Sequence, residues 1–131
     1  MATLTTTLTM TSADAFAHQP INISTNIALA VEAPYTDLSR VAAPLAGYVD
    51  IVGTGGGDVI YFYIKNTAIQ ASNGAIVTHK ISVRNANSEQ IATLGANEFL
   101  FIPVSAAEGI EIGTPTGAAV FAEYLYFTKD V

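Results

Sequence analysis

The stretch "GTGGGDVIYFYIKN", residues 53–66, joins a cluster of glycines to an unusually apolar run. A phosphate-binding loop requires a helix N-terminus directly after the glycines, with G-x-G-x-x-G or Gly-Lys-Ser/Thr spacing. Neither spacing is present, and the residues that follow are β-branched or aromatic. We therefore predict a hairpin loop or bulge at the glycines. The run 58–66 is apolar at both odd and even positions, which predicts a central strand covered on both sides.

A two-residue hydrophobic period continues on either side of this strand. It is clear in residues 3–11, 21–31 and 76–85, and an aromatic strand at 118–129 closes the chain. Turn signals recur every 8–15 residues, and no segment shows a sustained 3.6-residue stripe. This pattern predicts an all-β fold: a single-domain β-sandwich or jelly-roll-like structure over residues 1–131, with eight to ten short antiparallel strands.

The N-terminal strand "TLTTTLTMT", residues 3–11, places Leu4, Leu8 and Met10 together with Thr6 on one face and the other five threonines on the opposite face. An unpaired strand of this kind can add to a partner's sheet. Residues 1–11 are therefore predicted to be an edge strand or a partner-pairing arm, and a flexible arm that orders on a partner is the alternative. The candidate interface residues are Leu4, Leu8 and Met10.

The charge pattern argues against two classes of partner. The chain has 11 acidic and 5 basic residues, a net charge of −6, and its basic residues are scattered. Nucleic acids and membrane surfaces attract clustered cations, so we expect neither as a partner. Charged residues make up only 12% of the chain, against about a quarter in typical domains. This low value suggests that partners cover part of the surface.

The residues that usually carry chemistry are sparse. Cysteine is absent, which excludes disulfides and thiolate metal sites, and the two histidines, His18 and His79, lack zinc-site spacing. The acidic residues are dispersed; two acids that converge in the fold are the one catalytic alternative that spacing leaves open. We predict no catalytic, cofactor-binding or metal-binding residues and expect no enzyme. His79 is in phase with Val77 and Ile81, so we expect it to face inward or an interface, where acid would loosen assembly.

Targeting signals are also missing from the sequence pattern. The first basic residue is Arg40, and no apolar run approaches the ~18 residues of a membrane span. We therefore expect a soluble protein that is made in a cytoplasm.

Three stretches together resemble a known family. They are "MATLTTTLTMTSADAF", "VIYFYIKNTA" and "ATLGANEFLFIPVSAAEGIEI…AEYLYFTK". They are similar to small virion structural proteins of tailed phages, notably those that infect cyanobacteria and other marine bacteria. A "G-x-x-E-F-x-F-I-P-V" segment and a final "E-Y-x-Y-x-x-K" strand characterise this family. The matching residues are Gly95, Glu98, Phe99, Phe101, Ile102, Pro103 and Val104, and then Glu123, Tyr124, Tyr126 and Lys129.

The resemblance implies a role in virion assembly. We expect a capsid decoration (cement) protein on the capsid surface, whose partners are the major capsid protein and copies of itself, as a homotrimer at local threefold positions. A tail, neck or fibre-associated virion module is one alternative. A carbohydrate-binding adhesion module is another, because twelve tyrosines and phenylalanines are available to line a sugar site, although packing is their more common role.

Overall fold

The computed structural model describes residues 2–16, 19–35, 38–53, 59–105 and 108–128. These residues form ten antiparallel strands and no α-helix, which confirms the predicted all-β class. The strands are β1 (Ala2–Phe16), β2 (Gln19–Tyr35), β3 (Ser39–Ala43), β4 (Val49–Val52), β5 (Val59–Gln70), β6 (Ile81–Arg84), β7 (Gln90–Leu94), β8 (Phe99–Ser105), β9 (Ile110–Gly113) and β10 (Val120–Thr128). That the chain is a single domain stays a prediction.

Two sheets pack face to face as a sandwich. The larger sheet has the order β1-β2-β10-β5-β8, with β3 also paired to β10, and the smaller has the order β4-β9-β6-β7. Their facing sides share one core of buried aliphatic and aromatic side chains, which includes Phe62 and Ile64 from β5 and Ile81, Val83 and Ile112 from the smaller sheet. Apolar residues at alternate positions produce this arrangement, because successive side chains of a strand point to opposite faces.

The prediction for β5 is confirmed in position and wrong in one detail. The strand lies inside the larger sheet, between β10 and β8. Ile60, Phe62 and Ile64 are almost fully buried, whereas Tyr61 and Tyr63 on the opposite face are only half-buried. One face of β5 is therefore covered by the core and the other by a partly open surface. Tyrosine suits this second position, because its ring can pack while its hydroxyl keeps a polar partner.

The glycine cluster was predicted to form a hairpin loop or a bulge; the strand pairing contradicts the hairpin, and the bulge falls outside the described residues. Residues 54–58 lie outside the described residues, but the strands on either side of them do not pair with each other. β4 pairs with β9 in the smaller sheet, and β5 pairs with β10 and β8 in the larger one. The glycine-rich segment therefore joins the two sheets. A two-residue hydrophobic period does not distinguish such a connection from a hairpin.

Two other predicted strands have different lengths. β1 and β2 have 15 and 17 residues and are not short, whereas the strand predicted over 76–85 is restricted to Ile81–Arg84. His79 precedes this strand and lies half-buried against Gly117. A role for His79 in pH-dependent assembly stays a prediction.

A buried asparagine ties the two sheets together near the end of β5. The Asn66 side chain is fully buried, and its Nδ2 donates to the backbone carbonyls of His79, at 2.8 Å, and Leu94, at 3.0 Å. Its Oδ1 accepts a hydrogen bond from the backbone N–H of Ala68. Leu94 belongs to β7 of the smaller sheet, so one side chain connects both sheets through hydrogen bonds that the core protects from water.

A candidate interaction surface on the hairpin arm

The two longest strands form an antiparallel hairpin, which we call the hairpin arm (β1 and β2). Its register is regular from the pair Ala2 and Val31 to the pair Ser12 and Ile21. In the described residues, β2 pairs with the rest of the larger sheet only through Glu32 and Tyr35, opposite the end of β10. The arm is thus joined to the sandwich near the C-terminal end of β2, and most of its length continues beyond that junction.

One face of the hairpin arm is apolar and largely unburied. The period of two brings Leu8 and Met10 of β1 onto the same face as Ile23 and Ile27 of β2. These four side chains are between 45% and 52% exposed. Nearer the junction with the sandwich, Leu29 is buried and Leu4 is partly buried.

The structure thus places the three sequence-predicted interface residues on one face. Leu8 and Met10 are half-exposed there, while Leu4 is partly buried nearer the sandwich. Sequence reasoning did not assign Ile23 and Ile27 to the interface, although the same alternation in "INISTNIALAV" places them on one side of β2. Whether any of these residues contacts a partner stays a prediction.

An apolar cleft separates the hairpin arm from the outer face of the sandwich. Its volume is about 480 Å³, and Thr6, Leu8 and Ile27 form part of the arm side. Tyr63, Phe99 and Phe101 form the sandwich side. Three exposed large apolar side chains line this cleft, namely Leu8, Ile27 and Phe99, and Met10 and Ile23 continue the apolar face of the arm beyond it. A concentration of this kind is typical of a surface that another molecule covers.

Aromatic packing and a hydrogen bond hold the side chains on the sandwich side of the cleft. The ring of Tyr61 stacks between Phe101 and Phe127, with centroid distances of 5.8 and 5.5 Å. The hydroxyl of Tyr63 donates a 3.2 Å hydrogen bond to Oε1 of Glu123 on β10. Burial raises the pKa of Tyr63, and the negative charge of Glu123 and this hydrogen bond raise it further. Tyr63 therefore stays a neutral donor at physiological pH.

The outer face of the smaller sheet has a different character. Nε of Arg84 donates to Oε1 of Glu111, and the guanidinium lies 3.4 Å from the centroid of the Tyr48 ring. The Tyr48 hydroxyl donates to Ser82, and the Ser82 hydroxyl donates to Gln90. These groups satisfy one another across neighbouring strands, so their arrangement is explained by stabilisation of the sheet.

The described residues contain no group of three or more histidine, cysteine, aspartate or glutamate side chains that could hold a metal ion. They include no helix with the length and hydropathy of a membrane span. His18 and Lys129 lie outside the described residues.

Comparison of the chain with protein-family models, curated proteins and solved structures found no match. The residues themselves and the geometry of the hairpin arm are therefore the basis for a functional assignment.

Proposed function

We propose that this chain is a virion structural protein of a tailed phage, a capsid decoration protein that attaches to the shell through the apolar face of its hairpin arm. The observation that carries the proposal is the set of four half-exposed apolar side chains on that face, Leu8, Met10, Ile23 and Ile27. The resemblance of three sequence stretches to small phage virion proteins is the reason for proposing the capsid shell as the partner.

The energetics of the face suit attachment to a large surface. Burying the exposed half of each of these side chains contributes roughly 1 kcal/mol, since full burial of such a side chain is worth about 1.5–3 kcal/mol. Four of them, together with the cleft, provide a modest interaction for each copy. Many copies on one shell add such interactions without any catalytic group.

The charge distribution favours the hairpin arm as the docking site. Residues 1–13 and 19–31 contain no acidic or basic side chain, although the chain as a whole has a net charge of −6. Burial of an unpaired charge is costly, so a neutral surface can be covered with a smaller desolvation penalty. The acidic remainder of the surface keeps the decorated particle soluble.

Part of the sequence that resembles phage virion proteins lies beside the hairpin arm. Phe99 and Phe101 belong to the segment that matches the "G-x-x-E-F-x-F-I-P-V" pattern, and both line the cleft beside the arm. Phe99 is 64% exposed. A shell segment that fills this cleft would contact Phe99 and the arm face together.

Mixing purified protein with undecorated capsids and imaging the particles tests the proposal. We expect regular extra density on the heads, and a large loss of occupancy for the double variant Leu8→Ser, Ile27→Ser. The matched control is Ile76→Ser, because Ile76 is 89% exposed and is not part of the cleft. Bare heads contradict the decoration role, and protein found on tails alone favours the tail, neck or fibre alternative.

A further inference from the structure

The exposed sheet edges of this protein are not protected equally. Edge strands expose unpaired backbone groups, and proteins usually block them with charges, prolines or very short strands. β3 carries Arg40, β4 carries Asp50 and β8 carries Pro103. β7 has only five residues. The side of β2 that faces away from β1 is a further edge over most of its length, and β2 carries Pro20 and Pro34. Five of the six edges in the described structure thus carry a recognised protective feature.

β1 is the exception over Ala2–Ser12, because its one charged residue, Asp14, lies beyond that stretch. It is the outermost strand of the larger sheet. Between Ala2 and Ser12 it contains no charged residue and no proline, and its pairing with β2 shows no register shift. The shift in this strand occurs only beyond Ser12. A long, regular and neutral edge is a template for the addition of another strand.

We propose that this edge pairs with β1 of a second copy of the chain, antiparallel and about a twofold axis. The overlap of the regular stretch is greatest when Ala2 of one copy lies opposite Ser12 of the other. Thr7 then lies opposite Thr7 on the axis, and Thr5 lies opposite Thr9. The interface is isologous, because the same residues contribute from both sides.

The side-chain pattern is compatible with this register. Opposed residues have numbers that sum to fourteen, so even positions meet even positions and odd positions meet odd ones. On the apolar face Leu4 therefore lies opposite Met10 and Leu8 lies opposite Thr6. On the other face threonine lies opposite threonine. A shift of one residue would place the apolar face of one copy on the same side as the threonine face of the other. The pairing thus extends the apolar face of the hairpin arm continuously across two copies.

Charge explains why a second copy is a suitable partner. Every acidic and basic residue of the chain lies at position 14 or beyond. Two copies, each with a net charge of −6, repel over most of their surfaces. Along residues 2–12 they meet without like charges, and Thr–Thr pairs across strands are favourable.

This self-pairing uses the edge of β1, whereas the proposed attachment to a shell uses the apolar face, so the two proposals can fail separately. It also predicts a twofold dimer, in contrast to the homotrimer that the resemblance implies.

Charge exchange on the threonine face tests the pairing. Thr5, Thr7 and Thr9 are exposed, so their replacement by lysine in one triple variant, and by glutamate in another, should leave the fold intact. Sedimentation equilibrium of the wild type should give a reversible dimer of twice the 13.7 kDa chain mass. Each triple variant should dissociate at least about tenfold more readily, because like charges then face each other. An equimolar mixture of the two variants should recover the dimer.

The matched control is the triple variant Thr78→Lys, Thr93→Lys, Thr116→Lys, which adds the same charge at exposed positions of the sandwich. It should dimerise as the wild type does. A wild type that stays monomeric up to about 1 mM, the concentration of the weakest specific complexes, overturns the proposal. So does a trimer, a lysine variant that behaves as the control does, or a mixture of the two charged variants that remains dissociated.

Discussion

Gly117 lies so close to the imidazole ring of His79 that a Cβ atom at position 117 would overlap Nδ1. Gly117 also has a φ of 97°, a conformation that residues with a side chain rarely adopt. Two independent constraints therefore exclude a side chain at position 117: the positive φ of the backbone and the close approach of the His79 ring. This contact fixes the bend that precedes β10 against the segment that leads into β6.

We expect Gly117→Ala to lower the free energy of unfolding by about 1–3 kcal/mol, the usual cost of a strained backbone conformation. Adding His79→Ala should recover the part of the loss that comes from the ring and leave the backbone part. Urea denaturation of both variants measures this. Gly53→Ala is the control, since no atom lies within 4 Å of the added Cβ; equal stability of the two alanine variants would show that the contact is unimportant.

Alkaline pH should reveal the hydrogen bond between Tyr63 and Glu123. The pKa of Tyr63 is raised by burial first and by Glu123 second. Near pH 10 the unfolded chain loses this proton while the folded chain keeps it. Stability that is fully present below about pH 10 is therefore lost as the pH rises through the folded pKa.

Urea denaturation between about pH 9 and about pH 11 checks this expectation. Tyr63→Phe should remove part of the alkaline loss. Glu123→Gln should reduce the shift without abolishing it, because the contribution of burial remains. An alkaline slope that is identical in Tyr63→Phe and the wild type would contradict the assignment.

The Asn66 side chain should contribute strongly to the stability of the fold, because it makes three hydrogen bonds. Asn66→Ala removes the hydrogen-bond partner of the buried Leu94 carbonyl, of the buried Ala68 N–H and of the partly buried His79 carbonyl. Each unsatisfied buried group costs about 1–3 kcal/mol, so we expect a loss of about 3 kcal/mol or more in chemical denaturation. Asn73→Ala is the control: it removes one exposed hydrogen bond to Ala75 and should cost about 1 kcal/mol or less. A similar loss for both variants would disprove the bridging role.

Truncation of two phenylalanines should change the stability by very different amounts. Phe62 is fully buried between the sheets, whereas Phe99 is 64% exposed beside the cleft. Phe62→Ala should cost about 3–5 kcal/mol. Phe99→Ala should change the unfolding free energy by about 0.5 kcal/mol or less. Thermal and urea unfolding measure both values, and a large loss for Phe99→Ala would mean that the cleft is part of the folding core.

Local patterns were sufficient for much of the fold. Apolar residues recur with a period of two at Leu4, Leu8 and Met10, and β1 is a strand over that stretch. The run 59–64 is apolar throughout and lies within the central strand β5. A hairpin was predicted at the glycine cluster, whereas the flanking strands β4 and β5 belong to different sheets. Composition does not distinguish a loop between two sheets from a hairpin loop. The exposed side chains of Ile23 and Ile27 could be assigned to one strand face from the sequence, but nothing local separates a covered face from an open one.

The sequence by itself determined that this protein is built of strands, and it determined which side chains share a face, because both depend only on neighbours along the chain. The tertiary structure alone decided which strands pair and which apolar faces remain uncovered. Leu8 and Ile64 follow the same two-residue rhythm, yet Leu8 is 46% exposed on the hairpin arm and Ile64 is completely buried. The difference arises because the second sheet packs over Ile64, and within the described chain Leu8 only borders an open cleft.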